Sequence, residues 1–65
     1  MVVKVIELVG TSPNNWTEAV DEAVMEASKT LDHILGVEGT NFTANIDGGR
    51  IAEYKADVKV AFHVH

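Results

Sequence analysis

The chain has 65 residues, no cysteine, and ten acidic against five basic side chains, for a formal charge of −5. That excludes disulfides and thiolate metal sites, leaves room for one domain over residues 1–65, and argues against nucleic acid as a partner, because phosphate backbones repel an acidic surface. The hydrophobic share of 46 % is more than so small an interior can bury, which points to self-association as the missing stabiliser.

The opening "MVVKVIELVG" is apolar but carries Lys4 and Glu7 and is much shorter than a membrane span. It also lacks the pattern of a secretory signal, so a soluble, cytoplasmic protein with no membrane partner is expected. Val2 to Val9 is rich in β-branched residues and predicts a first strand. Gly10-Thr11-Ser12-Pro13 then breaks the strand and announces a helix. Either Ser12 caps it, with Pro13 at the first helical position, or Asn15 caps it, with Glu18 three residues on. Trp16, Val20, Ala23, Val24, Ala27, Leu31 and Ile34 recur every three or four residues as the apolar stripe of a helix. Glu18, Asp21, Glu22, Lys29 and Asp32 take the other face. Gly36 offers a cheap left-handed stop, which predicts a helix end near Leu35.

Val37 to Ile46 predicts a second strand, and Asp47-Gly48-Gly49 a hairpin turn that accepts positive φ. From Arg50 to His65 the chain alternates. Ala52, Tyr54, Ala56, Val58, Val60, Phe62 and Val64 fall on one face, and Glu53, Lys55, Asp57, Lys59, His63 and His65 on the other. The expected fold is α+β: β-α-β-β, a three-stranded antiparallel sheet packed on one amphipathic helix. A final strand well beyond the usual length of about 5–6 residues must overhang so small a domain, and the overhang is expected to meet another subunit.

Few residues carry chemistry. The loop "GTSPNN" suits helix capping better than anion binding, since it lacks the spacing of phosphate-binding loops. His63 and His65 share a strand face and are weak candidates for a metal, needing further ligands from elsewhere. The acidic helix face has the oxygens calcium prefers but no EF-hand loop. Trp16 is expected in the core, and Met25 in partial contact with a neighbour. No nucleophile is paired with a base, so an enzyme is not expected. The stretch "ILGVEGTN", residues 34–41, is unusual in placing two glycines where a strand should begin.

The segments "VIELVGTSPNNWTEAV", "EASKTLDHI", "IDGGRIAEY" and "VKVAF" together resemble the dodecins over essentially the whole chain. The resemblance implies a β-α-β-β subunit, a homododecameric hollow shell, and binding or storage of a small molecule, with flavin (riboflavin or FMN) as cofactor. It places the ligand-binding positions at Gly36, Val37, Glu38, Asn41 and Lys55. In flavin-binding dodecins the position of Gly36 is typically a tryptophan that stacks on the flavin, and that of Lys55 a glutamine. An aspartate sometimes stands where Asn41 does, and the glutamate at Glu38 is retained. The implied flavin site is therefore degraded here, and a shell that binds cations such as calcium, or has a structural or storage role, is the alternative.

Overall fold

The computed structural model describes residues 1–64. The elements are strand β1 (Val2–Ser12), helix α1 (Trp16–Ser28), strand β2 (Ile34–Asp47) and strand β3 (Arg50–Val64). They form one antiparallel sheet in the order β1-β3-β2. The two edge strands run the same way, and the chain passes between them through α1. The α+β, β-α-β-β fold expected from the pattern is the fold observed.

Ala56, Val58 and Val60 of β3 are fully buried against Ala19, Ala23 and Ala27 of α1. Alanines four residues apart give the helix a smooth stripe, which lets it sit close to the sheet. The two come close at Gly10, where an added Cβ would run into the carbonyl oxygen of Ala19. Ile6, Leu8, Val20, Leu31 and Ile34 close the sides of this core.

The helix starts at the second of the two possible caps. Asn15 Oδ1 accepts the Glu18 backbone N–H at 2.7 Å. The Ser12 hydroxyl is buried; it accepts the Asn14 N–H at 2.9 Å and donates to the Glu18 carboxylate. Asn14 Nδ2 donates to the same carboxylate at 2.6 Å. The loop "GTSPNN" thus holds the chain's own carboxylate, and its side chains are spent on capping.

The helix ends at Ser28, well before the expected Leu35. Thr30 and Leu31 both direct their N–H groups at the Ala27 carbonyl, and His33 takes the left-handed conformation, with φ 57°. The apolar spacing misleads because Leu31 and Ile34 pack on the core from outside the helix. Ile34 already pairs with Phe62 in the sheet. Gly36 is therefore a strand residue, not a helix stop, and "ILGVEGTN" opens β2, with register shifts at Ile34/Gly36 and Gly39/Asn41.

Gly48 and Gly49, with φ of 59° and 76°, form the two-residue hairpin turn expected of them. The molecule is 48 Å long. A strand the length of β3 spans nearly all of it at about 3.3 Å per residue, whereas α1, at about 1.5 Å per residue, covers less than half. The hairpin end therefore projects past the helix, with Ile46 63 % and Ile51 43 % exposed.

Candidate functional site

Alternation along β3 turns Asp57, Lys59 and Ala61 away from the helix. On that open face Val5, Ala61 and Gly36 form one row across the sheet, and Glu7, Lys59 and Glu38 the next. The rows border a shallow cavity of about 260 Å³ lined by Val5, Gly36, Val37, Glu38, Lys59 and Ala61. Its floor is low because glycine faces alanine. A Cβ added to Gly36 would meet nothing within 4 Å, and its φ lies outside the left-handed region. Gly39 differs: a Cβ there would strike the Phe42 ring. The second glycine makes room for Phe42, and the first leaves space open.

Gly36, Val37 and Glu38 therefore come together. Asn41 and Lys55 lie farther along the sheet, Asn41 opposite Asp57 and Lys55 between Thr11 and Thr43. Six strand positions separate Lys55 from Ala61, about 20 Å at the usual rise, so within one chain Lys55 does not reach the Gly36 cavity. Sequence reasoning missed Val5, Lys59 and Ala61, although counting outward from the Gly48-Gly49 turn would have found Ala61.

The open face carries one electrostatic conflict. Glu7 lies diagonal to Asp57, one rung along the β1–β3 ladder. Hydrogen bonding to the Asp57 carboxyl, then charge repulsion from it, then desolvation, hold Glu7 above its ordinary value of 4.5, while Lys59 pulls the other way. Asp57 Oδ1 is buried with no hydrogen-bond partner among the described residues.

Residues 2–65 match the family model for dodecin. The chain belongs to the dodecin family. It is 33 % identical over 63 residues to the dodecin of Thermus thermophilus, covering 97 % of this chain and 91 % of that one. A crystal structure of a Thermus thermophilus protein superposes with a TM-score of 0.95, at 33 % identity, covering 98 % of this chain and 94 % of the other. The calcium dodecin of Mycobacterium tuberculosis, a calcium-chelating antigen whose structure is described as having a novel calcium-binding site, superposes with a TM-score of 0.86. Its identity is 31 %, covering 100 % of this chain and 93 % of that one.

In this dodecin-family subunit a larger groove than the Gly36 cavity lies on the helix side. It measures about 530 Å³ and is lined by Trp16, Thr17, Val20, Asp21 and Phe42. Trp16 is not the core residue its stripe position suggested, being 38 % exposed. Its indole Nε1 donates to the Thr43 carbonyl at 2.9 Å, and its ring meets Tyr54 edge-on at 4.8 Å. Those contacts tie the start of α1 to β2 and β3 instead of burying the ring. Met25 is 58 % exposed.

Among the described residues no three His, Cys, Asp or Glu side chains are grouped to hold a metal ion, and no helix is long and apolar enough to cross a membrane. His65, expected to share a strand face with His63, lies outside the described residues. His63 neighbours His33, with ring centres 6.2 Å apart.

Proposed function

We propose that this chain assembles into a homododecameric hollow shell and that the shell binds and stores a small planar molecule, with flavin (riboflavin or FMN) as the family-implied ligand. The binding positions are Gly36, Val37 and Glu38 of one subunit, with Asn41 and Lys55 brought to them by another. The observation that carries this reading is the open space over Gly36, a strand residue whose added Cβ would meet nothing within 4 Å. It supports a place where a ring fits and none is supplied. Base-on-aromatic stacking is worth about 1–3 kcal/mol per ring, so the missing platform weakens flavin binding by roughly tenfold or more. Lys55 adds a charge that can attract a phosphate, which favours FMN over riboflavin. Self-association is supported by the overhanging hairpin and by exposed Val9, Leu35 and Phe42, each at least half exposed. The protein acts by binding rather than catalysis, in the cytoplasm, with other copies of itself and a small molecule as partners, not nucleic acid or a membrane.

A second reading is a shell that holds cations instead of flavin. Asp57 Oδ1, buried with no hydrogen-bond partner among the described residues, favours it, as does the kinship to a calcium dodecin.

The visible spectrum of the purified protein, followed by riboflavin and FMN fluorescence titrations, separates the readings. Flavin quenching at micromolar concentration, with FMN the tighter, supports the first. Quenching by neither flavin, with calcium binding by calorimetry, supports the second. Native mass spectrometry near neutral pH is expected to show a twelve-fold species, and a stable monomer at micromolar concentration contradicts both.

A further inference from the structure

The apolar residues of this subunit are distributed the wrong way round for a chain that stands alone. Among the described residues the largest apolar side chains fully buried are Val58 and Val60, whereas Ile, Leu and Phe normally rank with Val among the most buried. Trp16, Phe42, Ile46 and Ile51 are all exposed. Two places concentrate that surface. One is the groove of about 530 Å³ at the helix start, where Trp16, Val20 and Phe42 meet Thr17 and Asp21. It is preformed, because the Thr43 carbonyl and the Tyr54 ring hold the indole in place. The other is the hairpin tip, residues 46–51, which does not line its own groove. It presents Ile46 and Ile51, partners across the ladder, with Arg50 beside them.

Each place also carries a charge that the subunit leaves unused. Asp21 at the groove and Arg50 at the tip are both exposed. Arg50 stands opposite Asp47 in the register. Even so, the side chains of Asp21, Asp47 and Arg50 make no hydrogen bond or ion pair with another described residue. We propose that the hairpin tip of one copy seats in the Trp16–Phe42 groove of the next, with Ile46 and Ile51 against the rings and Arg50 on Asp21. The inference rests on the self-assembly proposed above and names the surfaces that carry it. A chain of charge −5 repels its own copies except where a base meets an acid, and this contact supplies such a place. Aromatic and arginine side chains are also those that anchor interfaces. Because tip and groove are different patches, each copy gives one contact and receives one, as in closed rings of identical subunits.

The test is a charge exchange on the full chain, read by native mass spectrometry over a dilution series. Asp21→Arg and Arg50→Asp each place like charges at the contact, so half-assembly should need at least about tenfold more protein. The double variant restores the pair with its sense reversed and should assemble as the parent does. A second reading needs no substitution. Trp16 is the sole tryptophan, so the parent's emission should move to longer wavelength on dilution, in step with the loss of assembly, as water reaches the ring. Single variants that assemble like the parent, a double variant no better than the singles, or emission unchanged on dissociation would each overturn this contact while leaving self-assembly intact. A parent that is monomeric throughout would overturn both.

Discussion

Gly36 faces Ala61 across the β2–β3 ladder, and the space above it is empty to 4 Å. The helix-facing side has the opposite arrangement at Gly10, where the Ala19 carbonyl leaves no space for a Cβ. One glycine is required by packing and the other is not. Gly10→Ala is expected to lower stability by about 1–3 kcal/mol, the usual cost of overpacking, or to lift the helix from the sheet. Gly36→Ala should be neutral or slightly stabilising, because alanine restricts the unfolded chain more. Thermal melts of the two variants test this directly, and equal losses would show that β2 is packed differently.

A second expectation concerns Glu7. Its folded value lies above 4.5 because of Asp57, so the folded state takes up its proton more readily than the unfolded state. Its contribution is most favourable below 4.5 and is lost as pH rises through the folded value. Glu7→Gln removes the repulsion between carboxylates. Its melting temperature should exceed the parent's at neutral pH, and the gap should close on acidification. A variant less stable than the parent at pH 7 would mean that Lys59, not Asp57, governs Glu7.

Glu18 has the opposite sign. Hydrogen bonds from Ser12 first, and Asn14 second, hold it below 4.5. Its contribution is present above 4.5 and lost as pH falls through the lowered value. Glu18→Gln should therefore destabilise at neutral pH, with the deficit shrinking in acid. Asn15→Ala should cost about 1 kcal/mol as a lost N-cap, with little pH dependence. If the deficit of Glu18→Gln did not change with pH, the carboxylate would not be the group that holds the loop.

The sheet was legible in the sequence because its signals are local. Gly48-Gly49 fixes the hairpin, and the alternation of Ala56, Val58 and Val60 fixes the buried face. Even the partner of Gly36 follows by counting from the turn, since the shifts at Asn45/Ile46 and Gly39/Asn41 cancel. The helix end was not legible, because Leu31 and Ile34 keep helical spacing while packing from a turn and a strand. Trp16 occupies a core-like position in the pattern, but its indole reaches the Thr43 carbonyl at the rim. The nearness of His33 to His63 was not legible either, because a left-handed turn that no local pattern announces brings His33 there. The separation of Lys55 from Gly36 is likewise a property of register over a long strand.

The central claim is that Gly36 marks a ring-binding platform without its ring. The most direct measurement is a riboflavin fluorescence titration of the parent beside Gly36→Trp combined with Lys55→Gln, with melting temperatures recorded for both. Since a Cβ at position 36 meets nothing within 4 Å and the backbone there is not left-handed, the double variant should keep its stability. It should bind riboflavin at least about tenfold more tightly, the lower stacking estimate. No gain in affinity in a folded double variant, or a parent that already quenches riboflavin at nanomolar concentration, would contradict the claim.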